Sequence, residues 1–204
     1  LDGDIEVFDE ELSGINDFGG TTLTIARSGG AQAEDQLVFG GVVTTSGANV
    51  SVSGTQVGTY IFTSGQMIVT FDGGATQSQV NTLMQNIRYG NSSDAPPSSV
   101  QINWTFNDGN SGAQGSGGAK SATGSTTVNI SSVNDAPAIM NGSVYSYTGI
   151  TEDAISIGVT VTTIVNAAGW ADPDTGTVRG MAITGSSGNG TWQYSVNAAS
   201  SWSS

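Results

Sequence analysis

The most regular hydrophobic pattern in the chain lies at residues 99–108, SVQINWTFND, where apolar and polar residues alternate. Val100, Ile102, Trp104 and Phe106 fall on one side of such a segment, and polar residues fall on the other. A period of two predicts an antiparallel strand with one face on a core and one face in solvent. Similar short segments, TTLTIAR, QLVF, NVSVS and GTYIFTSGQMIVTF, are separated by Gly and Ser turns and predict further strands.

Three more segments complete the expected order of the first domain. A short first strand is predicted at 5–8, followed by an acidic loop, DEELSGINDFGG. After a Gly/Ser-rich loop, GSTTVNISSV is predicted to be the closing strand. Many short strands with Gly-rich turns favour an all-β sandwich.

The segment TQSQVNTLMQNIRYG breaks the alternation, because its apolar residues recur at helical spacing. These residues are Val80, Leu83, Met84 and Ile87. Thr76 and Gln79 fit a capping box at the start, and Gly90 lies beyond the expected end. We therefore predict a short helix that crosses between the two sheets of the sandwich, with its apolar residues in the core rather than against a cofactor.

Alternation starts again in the last third of the chain, in AISIGVTVT, GMAITG and GTWQYSV. The apolar positions of the first and third of these segments are Ile155, Ile157, Val159, Val161, Trp192, Tyr194 and Val196. A second β-sandwich is expected here, but roughly sixty residues are too few to complete one. We therefore expect only the N-terminal part of that domain and regard the chain as a piece of a larger protein.

The segment VNDAPAIM separates the two expected domains. Pro137 fixes its own backbone and disfavours a helical conformation at Ala136, so the segment is predicted to be an extended linker. The predicted division is a first domain at 1–133, a linker at 134–138 and the start of a second domain at 139–204.

Charge restricts the partners. Four Lys plus Arg against 17 Asp plus Glu give a formal net charge of −13, which repels nucleic acid and anionic lipid and attracts small hard cations. No apolar run approaches the roughly 20 residues of a membrane span, so membrane insertion is not expected.

The residue inventory excludes several kinds of catalysis. The chain has no Cys and no His, which removes thiolate nucleophiles, zinc–thiolate sites and serine–histidine or cysteine–histidine mechanisms. Lys120 is the only lysine and lies in a Gly/Ser-rich run where nothing is expected to bury it. Paired carboxylates remain as a candidate for acid–base catalysis, but closely spaced loop acids suit a cation better, and we predict that the protein is not an enzyme.

Acidic and amide side chains concentrate around the linker. They are Asn134 and Asp135 in the linker, Glu152 and Asp153 in ITEDAIS, Asp172 and Asp174 in WADPDTG, and Asp108 at the end of the Trp104 strand. Strand ends, linker and first loops meet at one end of a sandwich, so these oxygens are expected to converge. Ca²⁺ accepts six to eight oxygen ligands in flexible geometry and is the predicted cofactor. The alternative is that these acids are solvated loop residues, as most surface carboxylates are.

The order VNDAP, TED and DPDTG resembles the join between cadherin-like (immunoglobulin-like) tandem repeats of large bacterial RTX-type surface adhesins. The segments VFDEELSGINDFGGTTLTIARSGGAQAEDQLVF and LMQNIRYGNSSDAPPSSVQINWTFNDG also resemble a domain found in tandem in such proteins. The resemblance implies that the seven residues above are interdomain calcium ligands, and that Asp9 and Glu11 serve the same role towards a preceding domain. The chain departs from the RTX pattern because it has no GGxGxD nonapeptide repeats.

The resemblance implies a calcium-stiffened extender on the bacterial cell surface, which contacts neighbouring domains of its own chain and serves adhesion and biofilm formation. Glycans or peptides would bind through other modules of the parent protein. The alternative is that this piece is itself a carbohydrate- or peptide-binding module. Its candidate aromatic residues are Trp170, Trp192, Tyr194 and Trp202, although core packing is favoured for Trp192 and Tyr194 because they alternate within a predicted strand.

Overall fold

The computed structural model describes residues 1–110, 116–140, 145–196 and 201–204. It divides the chain into two units, Leu1–Ser132 and Val133–Ser204. The Gly/Ser-rich loop predicted before the closing strand falls partly on 111–115, which lie outside the described residues.

The described part of the first unit is built mostly from antiparallel strands. Its elements are α1 (Glu10–Ile15), β1 (Thr22–Arg27), β2 (Asp35–Phe39), β3 (Val43–Ser46), β4 (Asn49–Val52), β5 (Thr55–Thr63), β6 (Gln66–Phe71), α2 (Gln77–Gln85), β7 (Ile87–Asn91), β8 (Ser99–Asn107) and β9 (Ser121–Asn129). One sheet has seven strands in the order β3-β4-β5-β6-β1-β8-β9, and a second sheet pairs β2 with β7. This arrangement is consistent with the predicted all-β sandwich.

The alternating segments of the first unit form strands with the expected inward faces. In β8, Val100, Ile102 and Trp104 are buried while Ser99 and Gln101 are exposed. The strand pairs with β1 on one side and β9 on the other. The two-residue turn between β5 and β6 has Ser64 and Gly65 at positive φ, as a tight hairpin turn requires.

The helix predicted at the break in alternation is α2, and it connects the seven-stranded sheet to the two-stranded one. Thr76 and Gln79 form the predicted capping box. Val80, Leu83 and Met84 are buried in the core. The helix ends at Gln85, earlier than predicted, so Ile87 reaches the core from β7 rather than from the helix.

The N-terminal region differs from the prediction. Residues 5–8 form no strand, and the predicted acidic loop contains a helix, α1. Asp9 caps α1 by accepting from the backbone N–H groups of Glu11 and Leu12, and Leu12 is only 2% exposed. A side chain that satisfies two of the free N–H groups at a helix start favours the helix over a loop.

The second unit contains little regular structure among its described residues. A two-residue strand β10 (Ala138–Ile139) pairs antiparallel with β11 (Trp170–Ala171), and a helix, α3 (Val161–Ala167), precedes β11. Thr160 caps α3, and Val165 is its buried residue.

The strands predicted in the second unit were wrong. Residues 154–160 form no strand, Ile155 and Ile157 are exposed, and Val161 begins α3. GMAITG, at 180–185, also forms no strand, and GTWQYSV contributes only one bridge, between Tyr194 and Ser203. Alternation alone does not form a strand where no neighbouring strand is present to bury the apolar face.

Candidate metal centre

The β10–β11 pair brings the linker to the DPD turn within the second unit. The strands pair Ala138 with Ala171 and Ile139 with Trp170. Continued towards the linker, this register places Asp135 opposite Asp174. The backbone N–H of Asp135 donates to Asp174 Oδ2 at 2.7 Å.

Pro173 explains why the backbone ladder stops at this point. The Met140 N–H donates to the Gly169 carbonyl, and hydrogen-bonded pairs recur at every second position of an antiparallel ladder. After Ala138 and Ala171, the next such pair towards the linker would be Ala136 and Pro173, and proline has no N–H to donate. Beyond it, the carboxylate of Asp174 supplies the acceptor for the linker N–H.

The DPD turn is closed by its own first carboxylate. The N–H of Asp174 donates to Asp172 Oδ1 at 2.9 Å, which is the local side-chain contact typical of Asp in turns. Asp135, Asp172 and Asp174 are each half-buried, whereas Asn134 is exposed. The Asn134 amide donates to the backbone carbonyl of Asp135 at 3.0 Å. These four residues, Asn134, Asp135, Asp172 and Asp174, are called the linker acid group below.

The donor chemistry of the linker acid group suits calcium. All of its candidate ligand atoms are carboxylate, amide or carbonyl oxygens, which Ca²⁺ prefers. In the part of the chain that the structure describes, however, no three acidic side chains lie close enough together to hold a metal ion. Hydrogen bonds connect Asp135, Asp172 and Asp174, but their carboxylates do not form a cluster of three around one point.

Glu152 and Asp153 share no hydrogen bond with the linker acid group in the described part of the chain. They occupy an exposed turn closed by the Ala154 N–H and the Thr151 carbonyl at 3.1 Å. Asp153 has φ 64°, a left-handed conformation that Asp tolerates in turns. Among the described residues, no hydrogen bond joins either side chain to the linker, so the convergence predicted for them stays a prediction.

The other predicted ligands belong to the first unit. Asp108 Oδ1 accepts from the N–H groups of Asn110 and Lys120 at 3.1 and 2.8 Å, and so closes the base of the loop between β8 and β9. Asp9 caps α1, and Glu11 is exposed in the first turn of that helix. Capping and loop closure account for Asp9 and Asp108 locally, and their roles as ligands stay predictions.

Two acids not singled out by the sequence, Asp17 and Asp35, accept several hydrogen bonds in the first unit. Asp17 Oδ1 accepts from the N–H groups of Gly19 and Gly74 at 2.9 and 2.8 Å. These hydrogen bonds hold the pKa of Asp17 below its ordinary value. The sequence predicts a loop for the DFGG segment that contains Asp17. Its only sign of a carboxylate bound to backbone N–H groups is the pair of Gly residues that follows.

Asp35 joins the two sheets of the first unit. It lies in β2 and accepts from Arg27 of β1 at 2.8 Å and from the Tyr89 hydroxyl of β7 at 2.5 Å. Burial raises the pKa of Asp35, but the hydrogen bonds from Tyr89, Gln32 and Arg27 outweigh it and leave the pKa lowered. Burial and the contact with Asp35 raise the pKa of Tyr89. Sequence spacing gave no sign of this group, because its members come from three separate strands.

None of the protein-family models, curated proteins or solved structures with which the chain was compared matches it. In the described residues no helix is long and apolar enough to cross a membrane. The strands and helices of the described residues place the chain in the all-β class, with antiparallel sheets and a few short helices.

Proposed function

We propose that this chain is a non-enzymatic extender region of a large bacterial surface adhesin of the RTX type. In this proposal calcium at the linker stiffens the connection between cadherin-like domains, which hold the binding modules of the parent protein away from the cell. The observation that supports it best is the hydrogen bond from the Asp135 N–H to Asp174, because it ties the linker residues to an acidic turn within the second unit.

The linker acid group would hold the ion through Asn134, Asp135, Asp172 and Asp174. If the carboxylates of Asp135, Asp172 and Asp174 were drawn onto one point, they would repel one another unless a cation compensated their charge. Bound Ca²⁺ would supply that compensation and accept backbone carbonyls as further ligands. Glu152, Asp153 and Asp108 are the further ligands proposed for this join, and Asp9 and Glu11 are proposed to serve the same role towards a preceding domain.

The energetics fit an extracellular role. Calcium sites of extracellular modules have dissociation constants of about 10⁻⁴–10⁻³ M, so they are empty in the cytosol and filled outside the cell. At about 100-fold excess over the dissociation constant, one ion adds about 2.7 kcal/mol to the folded state. An ion shared by the linker and the following turn also resists bending, because bending would break coordination.

The test is a calcium titration of the full chain, with thermal unfolding and small-angle scattering as readouts and magnesium as the control ion. We expect calcium to raise the unfolding temperature and lengthen the particle, and Asp174→Asn to abolish most of the response. This variant keeps an oxygen to accept from the Asp135 N–H but loses the charge.

Asp94→Asn is the matched control, because Asp94 is an exposed acid of the first unit outside the linker acid group. It should respond to calcium as the unmodified chain does. A chain that shows no response to calcium, or an Asp174→Asn variant that responds in full, would overturn the proposed site.

One observation favours a second candidate function, a carbohydrate- or peptide-binding module. Trp192, Tyr194 and Trp202 are exposed by 54%, 58% and 45%, although core packing was expected for the first two. Tyr147 packs edge-on against Trp192, with ring centroids 6.0 Å apart. Exposed aromatic rings of this kind are enriched at binding surfaces.

A glycan and peptide screen separates this candidate from the extender. Saturable binding that is lost in Trp192→Ala and kept in Phe62→Ala would support a binding module. Phe62 is the matched control because it is an aromatic residue of the first unit exposed by 52%. Absence of saturable binding would leave the extender as the proposed function.

A further inference from the structure

Three side-chain amides on one face of α2 hold the segment that precedes α1. Gln77 Nε2 donates to the Val7 carbonyl at 2.7 Å, and Gln85 Nε2 donates to the Ile5 carbonyl at 3.0 Å. Between them, Asn81 Oδ1 accepts from the Val7 N–H at 2.9 Å. We call Gln77, Asn81 and Gln85 the amide ladder.

The amide ladder runs antiparallel to the segment that it holds. Gln77, in the first turn of α2, contacts Val7, and Gln85, in the last turn, contacts Ile5. Asn81 lies between them and contacts Val7 again, so helix side chains bind both the N–H and the carbonyl of that residue. These contacts hold residues 5–7, which belong to no sheet.

The side chains of the amide ladder bind backbone groups of the segment and not its side chains' polar atoms. Val7 is 7% exposed and packs in the core, whereas Glu6 and Phe8 are exposed. The Gln77 N–H donates to Asn16 Oδ1 at 3.0 Å, which ties the first turn of α2 to the end of α1. The segment is thus fixed by hydrogen bonds from side chains of α2 to its backbone and by the packing of Val7 and the partly buried Ile5 on the core.

We infer that the amide ladder is a mechanical clamp that delays unfolding of the first unit when the chain is pulled through its N-terminal segment. The inference rests on the proposed extender function, because an extender carries tension between the cell and its target. The three hydrogen bonds join residues 5–7 to α2, so a load applied at the N-terminus reaches them before it reaches α1 or β1.

Isosteric charge variants test the clamp. Gln77→Glu and Gln85→Glu keep the shape of the side chain but remove the N–H donor, while Asn81→Asp adds the same charge and keeps the acceptor. Gln77→Glu is the more informative of the two donor variants. A carboxylate in the first turn of a helix is favourable in itself, so faster unfolding of this variant must come from the lost donor.

The measurement is single-molecule force spectroscopy on the full chain with handles at the N-terminus and at Ser204. At fixed load we expect the first unit to unfold about five-fold faster for each donor removed. Asn81→Asp should unfold at nearly the unmodified rate. Equal rates for Asn81→Asp and the two glutamate variants would overturn the clamp.

A second attachment point separates a clamp from an ordinary loss of stability. The chain has no Cys, so Ala33→Cys in the exposed turn before β2 gives one specific handle that bypasses the N-terminal segment. With the load applied there, the glutamate variants should unfold at rates close to that of the unmodified chain. The same acceleration from both attachment points would show a general stability effect and contradict the clamp.

Measurements with and without calcium separate a failure of the clamp from a failure of the proposed extender function. The unfolding rates of the first unit are compared in calcium and in EDTA, alongside the linker response to calcium described above. Loss of the calcium response with intact donor effects would reject the calcium-stiffened extender and leave the clamp as a property of the fold. Loss of the donor effects with an intact calcium response would reject the clamp alone.

Discussion

Ile102 in the first unit and Ile157 in the second belong to equally regular alternations of apolar and polar residues, yet Ile102 is 0% and Ile157 90% exposed. The strand that contains Ile102, β8, pairs with β1 and β9. Residues 154–160 have no strand partner in the described part of the second unit. Alternation therefore identifies the face that can be buried, whereas burial itself depends on neighbouring strands that the pattern does not supply.

The helices of the two units make the same point. Both α2 and α3 begin at a Thr that accepts a backbone N–H. The first buries Val80, Leu83 and Met84, and the second buries only Val165. A cap marks where a helix starts, and the packed face determines how much the helix stabilises the unit.

The largest expected effect comes from truncating the two isoleucines. Ile102→Ala should lower the free energy of unfolding of the first unit by about 2–5 kcal/mol, because it removes buried apolar surface and leaves a cavity. Ile157→Ala should change stability by no more than about 0.5 kcal/mol. Urea denaturation followed by tryptophan fluorescence and circular dichroism would measure both.

The two alanine variants test whether the alternating segments around Ile102 and Ile157 differ in burial. Comparable losses in the two variants would mean that Ile157 is buried in solution and that the second unit forms the predicted strand. A loss confined to Ile102→Ala would establish that the two alternating segments differ in packing and not only in secondary structure.

A smaller effect is expected at the helix caps. Thr76→Ala should destabilise the first unit by about 1 kcal/mol, because it leaves the Gln79 N–H without its acceptor and breaks the capping box. Thr160→Ala removes the equivalent acceptor from α3 and should lower helix content without shifting the transition of the first unit. Circular dichroism during urea denaturation distinguishes these results, and a shift of the first transition by Thr160→Ala would show that the units unfold together.

Local signals in the sequence predicted the first unit well. The β8 alternation, the capping box of α2 and the Ser-Gly hairpin turn each depend on neighbouring residues, and each is present in the structure. The prediction of a strand at 5–8 was wrong, because the partner of this segment is a helix whose amides lie 70 to 80 positions away. No local pattern in the sequence indicates that partner.

The candidate site shows the same division between local and distant information. The contact of Asp135 with the DPD turn agrees with the predicted meeting of linker and acidic turn, and its basis is the β10–β11 register. Glu152 and Asp153 share the sequence pattern but form a separate turn. A motif records which residues could converge, and the register and turn geometry determine which of them do.

The smallest expected effect is a pH dependence of the first unit. The pKa values of Asp17 and Asp35 are lowered from 3.8 in the folded state, so both carboxylates bind protons more weakly than in the unfolded chain. Their contribution is complete above pH 3.8 and is lost as pH falls through the lowered folded values. Both groups are partly solvated, so each contributes only about a few tenths of a kcal/mol.

Asp17→Asn is the variant that tests this dependence, with Asp94→Asn as the matched control. The variant keeps one oxygen for Gly19 and Gly74 but cannot ionise, so its free energy of unfolding should fall less steeply between neutral pH and pH below 3.8. Urea midpoints measured across this range for the first transition provide the comparison, and Asp94→Asn should follow the unmodified chain. Hydrogen bonds to Asp17 make stability depend on pH only if they favour its ionised carboxylate. Identical pH profiles for Asp17→Asn and the unmodified chain would therefore show that the two backbone hydrogen bonds have no such preference.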